Sequence, residues 1–262
     1  MGDMDPIIYR KDPERFLAFI TLNRPDKFNC VSIELLEALE AALEDLSDDR
    51  QVRAVVIDAA GKNFCTGADL VQAREAKVSP EAQRAFGSRA HRVLSKLERV
   101  PKPTIAAVQG LALAGGIEIV LTTDIIFMAE SARLGDQHAQ FGLIPGWGGS
   151  QRLPRLIGRR RALDLMYTAR WISAADALNY GLANYVVPDD ELYDQAVHYA
   201  EQLALKNPDG LTRMKDLVLA SEDMDLDAGL QLEIDQSVEH SFSENVAEGL
   251  AAFHEKRKPN FT

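Results

Sequence analysis

One stretch constrains this chain more than any other. Thr104–Val108 is an unbroken run of apolar and β-type residues, and it empties into Gly110-Leu111-Ala112-Leu113-Ala114-Gly115-Gly116. A glycine turn leading from a strand into a helix leaves backbone N–H groups free at the helix N-terminus, where they can hold a developing oxyanion. Glu118 follows three residues beyond Gly115, about one helical turn away, and is flanked by Ile117, Ile119, Val120 and Leu121. Such a glutamate is either exposed on one helical face or buried for a purpose. Two glycines alone would read as a tight turn packing a helix on a sheet. With a carboxylate beside it, the turn points to chemistry on a carbonyl compound. The spacing Gly110-x4-Gly115-Gly116 has the outline of a phosphate loop, but Ile117 and Glu118 stand where that motif needs Lys and Ser or Thr. An acid there would repel phosphate.

The flanking sequence predicts alternating strands and helices. Residues 16–22 read as a buried strand closed by Asn23-Arg24-Pro25-Asp26, and Ser32 as the N-cap of a helix running to about Leu46, with Leu35, Leu36, Leu39, Leu43 and Leu46 on one face. A strand over 53–57 leads into a loop over 61–70, and Ser79-Pro80 starts a helix that ends before Val100-Pro101. After Thr104–Val108 come a helix over 114–122 and the strand Ile125–Ala129. Beyond Pro145 the chain turns helical: Ser173 caps Ala174–Tyr180, Gly181 stops it, a strand over 184–187 leads to a helix over 190–206, and Asn207-Pro208-Asp209-Gly210 reads as a linker. Everything after it reads as helical up to Lys258-Pro259. Strands alternating with helices imply a parallel sheet.

Three further places carry chemistry-bearing residues. The loop after the strand over 53–57 contains Phe64-Cys65-Thr66-Gly67-Ala68-Asp69, and its Ala68 N–H is a second possible oxyanion donor, although Gly67 alone only marks a turn. His138 lies in Gly135-Asp136-Gln137-His138-Ala139-Gln140-Phe141-Gly142, as a base, an acid or a structural histidine. The tail Glu255-Lys256-Arg257-Lys258 gathers cations at a helix end, where they either suit the macrodipole or hold an anionic ligand. The net charge of −11 speaks against a nucleic-acid partner. No apolar run is long enough for a membrane span, and the acidic start Met1-Gly2-Asp3-Met4-Asp5-Pro6 lacks a signal-peptide core. Two cysteines suit a cytoplasmic protein with free thiols, and His138 has no second ligand at metal spacing, so no metal is expected.

Taken in order and spacing, these motifs resemble the crotonase (enoyl-CoA hydratase/isomerase) superfamily over about Ile8 to Phe261. The segments that carry the likeness are Leu22-Asn23-Arg24-Pro25-Asp26-Lys27-Phe28-Asn29, Phe64-Cys65-Thr66-Gly67-Ala68-Asp69-Leu70, Pro103-Thr104-Ile105-Ala106-Ala107-Val108-Gln109-Gly110 and Ala114-Gly115-Gly116-Ile117-Glu118. Gly142-Leu143-Ile144-Pro145-Gly146, Gly149-Ser150-Gln151-Arg152-Leu153 and the tail to Phe261 complete it. The resemblance implies an α/β fold: a core of repeated ββα units over residues 1–208, holding the thioester site, and a C-terminal helical trimerisation region over 209–262. It implies a homotrimer or dimer of trimers, and an acyl-CoA thioester as substrate, with coenzyme A part of that substrate and no separate cofactor. By matching position, Ala68 and Gly115 N–H form the oxyanion hole and Glu118 holds and activates water. Lys27, Ala68 and Asp69, with Lys256 and Lys258 of the tail, match the positions that approach coenzyme A.

One departure stands out. Hydratases of the superfamily carry a second glutamate in a Gly-x-Pro-Glu segment, and counting back from Gly142 that place is taken by His138, with Gln137 in place of the proline. The nearest carboxylate is Asp136. The leading expectation is therefore a lyase of the enoyl-CoA hydratase type, with Glu118 as base toward water and His138 as proton donor; an isomerase variant depends on the same missing glutamate. The alternatives are a carbon–carbon hydrolase of a 1,3-dicarbonyl compound, in which His138 activates water, and a non-catalytic CoA-binding homologue.

Overall fold

The computed structural model describes residues 5–262, so Met1–Met4 of the acidic start lie outside the described residues. In chain order the first elements are β1 (Ile7–Asp12), β2 (Leu17–Leu22), α1 (Ile33–Asp48), β3 (Ala54–Ala59), α2 (Leu70–Glu75) and α3 (Pro80–Glu98). The central part comprises β4 (Thr104–Val108), β5 (Leu111–Leu113), α4 (Gly115–Val120), β6 (Ile125–Ala129) and β7 (Arg133–Gly135). There follow α5 (Gly149–Ile157), α6 (Arg159–Thr168), β8 (Ile172–Ser173), α7 (Ala174–Tyr180), β9 (Tyr185–Val187), α8 (Leu192–Ala204), α9 (Pro208–Ala220), α10 (Leu226–Ser241) and α11 (Glu244–Glu255).

The main sheet has six strands in the order β1-β2-β3-β4-β6-β9, parallel throughout except for the antiparallel edge pair β1–β2. Every residue of β4 is buried, as expected of a parallel strand covered on both faces. α1 packs on β1, β2 and α3, while α8 packs on β3 and β4. The apolar stripe of α1 is the predicted one, and Ser32 caps it, Oγ accepting from Leu35 N at 3.2 Å.

A second sheet, β5-β7-β8, supplies the second strand where β4 and β6 run on. β4 runs on through Gln109-Gly110 into β5 and then α4; β6 runs on into β7; and the loop after β3 adds Cys65 beside Ala112 in a parallel bridge. The expected α/β fold of repeated ββα units is what the chain forms. The expected glycine turn thus contains a three-residue strand, too short to show a period of its own.

Two boundaries differ from expectation. Asp69 ends the loop read over 61–70 by capping α2, its Oδ1 accepting from Val71 N at 3.1 Å. Asn207-Pro208-Asp209-Gly210 is no linker: Asn207 Oδ1 accepts from Gly210 N at 3.2 Å, Pro208 takes the first helical position, and α9 begins there. The C-terminal helices are tied to the core, Thr212 Oγ1 donating to Pro101 O at 2.7 Å and Lys215 Nζ meeting Asp124 Oδ2 at 2.8 Å. Yet α10 buries none of its residues, and Leu226, Leu230, Ile234, Val238 and Phe242, spaced by four, are all exposed. Among the described residues, no helix is long and apolar enough to cross a membrane.

Candidate active site

The two sheets bring the expected amide donors together. Gly67 adopts φ 111°, and Val31 grips the loop on both sides of Ala68, its N–H donating to Gly67 O and its carbonyl accepting from Asp69 N, each at 2.8 Å. On the other side, Leu113 N donates to Cys65 O at 2.9 Å, and Ala114 takes φ 48°, ψ −116°, a conformation that an L-residue holds only under strain. Ala114 is pinned there by its N–H, which donates to Gly135 O at 2.9 Å. A Cβ placed on Gly67 would stand 3.5 Å from Gly115 N, so the loop and the start of α4 are in contact. Among the described residues neither Ala68 N nor Gly115 N donates to a protein acceptor. Any Cβ on Gly115 would strike the Trp147 ring at 2.4 Å, and one on Gly116 would strike Cys65 O at 2.1 Å; this approach needs both glycines.

Glu118 is 1 % exposed. Its Oε1 accepts from Trp147 N and from Gly149 N, both at 2.8 Å, across the turn at Gly148, where φ is 116°. Arg152 holds that turn: its Nη1 donates to Trp147 O at 3.2 Å while Nε and Nη2 grip Glu98 at 2.6 and 2.7 Å. Burial pushes the Glu118 carboxyl above the usual carboxylate range, against the opposing pull of the two N–H groups and of His138.

Only Glu118 Oε2 is left to face the site, and His138 Nε2 stands 3.9 Å from it. His138 opens a short 3-10 turn, His138–Phe141, and its Nδ1 meets Asp136 Oδ1 at 3.0 Å. Burial pulls the imidazole down, but the bond to Asp136 and the charges of Asp136 and Glu118 outweigh it, so its pKa lies above the ordinary histidine value. These three groups are not gathered as a metal-ligand set, and no other such set occurs among the described residues.

Glu118, His138, Ala68 and Gly115 therefore converge. Of the residues expected to approach coenzyme A, Ala68 lies here, and Asp69, Lys27, Lys256 and Lys258 lie elsewhere. Both Asp69 oxygens are engaged, Oδ1 as the α2 cap and Oδ2 with Arg24 Nη2 at 2.9 Å. Lys27 is exposed on the 3-10 turn Pro25–Lys27, and Lys256 and Lys258 are exposed beyond α11. No hydrogen bond or ion pair among the described residues joins these lysines to Glu118 or His138. The Trp147 and Gly149 amides, the Arg152–Glu98 clamp and the Asp136–His138 contact escaped the sequence reading. Gly146-Trp147-Gly148-Gly149 was the only signal for the first of these.

A core of repeated ββα units, with free amides at a helix start beside a buried carboxylate, defines a protein of the crotonase superfamily. The model of the family described as "Enoyl-CoA hydratase/isomerase" matches residues 13–262. A protein named short-chain-enoyl-CoA hydratase from Clostridium acetobutylicum is 34 % identical over 98 % of this chain and 97 % of its own length. A crotonyl-CoA hydratase from Syntrophomonas wolfei is 34 % identical, covering 95 % and 96 %. The crystal structure of an enoyl-CoA hydratase from Bacillus anthracis superposes with a TM-score of 0.93 at 38 % identity, covering 98 % of each chain. The chain belongs to the enoyl-CoA hydratase/isomerase family.

Proposed function

We propose that this protein is an enoyl-CoA hydratase, a lyase that adds water across the 2,3-double bond of an acyl-CoA thioester, with a histidine at the second acid–base position. The Ala68 and Gly115 N–H groups take the thioester oxygen as enolate charge develops. Glu118 Oε2 removes a proton from water attacking Cβ, and His138 Nε2 delivers a proton to Cα. The observation that carries this reading is the 3.9 Å separation of Oε2 and Nε2, which puts a base and an acid within reach of adjacent carbon atoms. The names of the relatives, with crotonyl-CoA and short-chain enoyl-CoA hydratases among them, support a short enoyl-CoA as substrate.

Lys27 and the tail residues Lys256 and Lys258 serve the coenzyme A phosphates, the tail lysines from a neighbouring subunit of a homotrimer or dimer of trimers. The exposed apolar stripe of α10 supports that assembly. Free Cys30 and Cys65 support a cytoplasmic setting. The test is loss of enoyl absorbance from crotonyl-CoA: Glu118→Gln and His138→Gln are each expected to slow it by about 10²–10⁴-fold. Absence of hydration by the wild type, together with turnover of a cyclic β-diketone, would move the protein to the carbon–carbon hydrolases.

A further inference from the structure

We propose that Asp136 is the positioning residue of this site, holding the His138 imidazole by Nδ1 so that Nε2 alone exchanges protons with the substrate and with Glu118. The proposal rests on the hydratase reading above for its catalytic consequence. Asp136 is 1 % exposed, and a buried carboxylate is costly unless it is paired. The only hydrogen bonds it makes among the described residues go to His138: Oδ1 meets Nδ1 at 3.0 Å and the backbone N at 3.3 Å. Its other oxygen, Oδ2, is buried with no partner among the described residues. The backbone between the two bends unfavourably to allow the contact, Gln137 taking the left-handed φ of 61° with its side chain anchored on Ala169 O. A fold with no use for the charge would not retain an orphan oxygen and a strained glutamine to keep it there.

Asp136 has a fixed part in the proton transfers. As water adds, its O–Cβ bond forms, its proton passes to Glu118, and the displaced π pair moves onto the thioester enolate. The enolate then takes the Nε2 proton at Cα. The enzyme is left with Glu118 protonated and His138 neutral, with Nδ1–H donating to Asp136. Return of the proton from Glu118 Oε2 to Nε2, across 3.9 Å by a small ring rotation or one bridging water, restores the starting state. Asp136 takes up no proton in any of these steps. A neutral partner would remove the countercharge of the imidazolium and leave the tautomer unspecified.

Asp136→Asn separates this role from a structural one, because an asparagine still accepts the His138 backbone N–H and buries no charge. The expected result is a fall of about 10–10²-fold in kcat for crotonyl-CoA hydration with KM little changed and Tm equal or higher. In a His138→Gln background the same substitution should cost nothing further. Asp136→Ser repeats the comparison if the asparagine variant does not fold. Equal losses in both backgrounds, or a lower Tm with kcat intact, would overturn the proposal. Spectra of ¹⁵N-histidine-labelled protein taken above the alkaline limb, where the ring is neutral, with the His138 signal assigned by its loss in His138→Gln, should show the Nδ1–H tautomer in the wild type and a mixed tautomer in Asp136→Asn. That readout needs no turnover. A wild type that fails to hydrate but whose neutral ring keeps Nδ1–H refutes the hydratase reading alone, whereas a neutral ring protonated at Nε2 in its place refutes the positioning role.

Discussion

Glu118 works against the stability of the chain that holds it. Its folded pKa is raised above the unfolded value, so its contribution to folding is present below the unfolded pKa and is lost as pH rises through the folded one. At neutral pH the ionised form is a net cost. Glu118→Gln should therefore raise Tm, by ~2 °C for a gain of ~1 kcal/mol, while hydration falls steeply; a thermal melt beside an activity assay checks both. On the proposed mechanism the acid limb of kcat/KM follows ionisation of Glu118 and should lie above the usual carboxylate range. The alkaline limb follows loss of the His138 proton and should lie above the ordinary histidine value. His138→Gln should abolish the alkaline limb in the same pH series, and a wild type without one would remove His138 as donor. At this scale the sequence showed Glu118 because one carboxylate among apolar residues is conspicuous. It could not show that Trp147 and Gly149 amides hold it, since backbone donors leave no mark on residue identity.

The elements were legible where their pattern was long. α1 repeats its leucines from Leu35 to Leu46, about three turns, and Ser32 announces its start. β5 and β7 are three residues each and have no period to read. The Asn207–Gly210 segment was misread because Asn, Pro and Gly serve helix starts as well as linkers. Between α1 and α3 a charge ladder joins Glu37 to Arg89, Glu40 to Arg92 and Lys96, and Glu44 to Lys96. Its side chains only meet once both helices dock. The hydrogen bonds from Arg92 and Lys96 hold Glu40 down at about 2. A lowered carboxylate stabilises the fold above its unfolded pKa, and that contribution fades as pH falls toward about 2. Glu40→Gln should cost only ~0.5 kcal/mol at pH 7, for a solvent-screened pair, and nothing near pH 2; urea unfolding at the two pH values measures it.

For the molecule as a whole, the outward stripe of α10 asks for a partner surface. The sequence marked this region as helical, but whether Leu230 or Ile234 faces core or solvent depends on how α9 and α10 dock, which no local pattern encodes. As a trimer surface the stripe predicts that Leu230→Asp combined with Ile234→Asp yields monomers in sedimentation velocity. Tm of the wild type, but not of that variant, should rise with protein concentration.

The engagement of one oxygen of Glu118 by two amides also has a consequence for handedness. With Oε1 occupied, only 3.9 Å separates Oε2 from the His138 nitrogen, too little for a flat enoyl unit to lie between them, so both groups meet such a unit from one side. Hydroxyl and hydrogen then reach neighbouring carbons from the same face. Hydration in D₂O should give a single diastereomer of the 2-deuterio-3-hydroxyacyl thioester, the product of syn addition, and a mixture at C2 would mean that the proton comes from solvent.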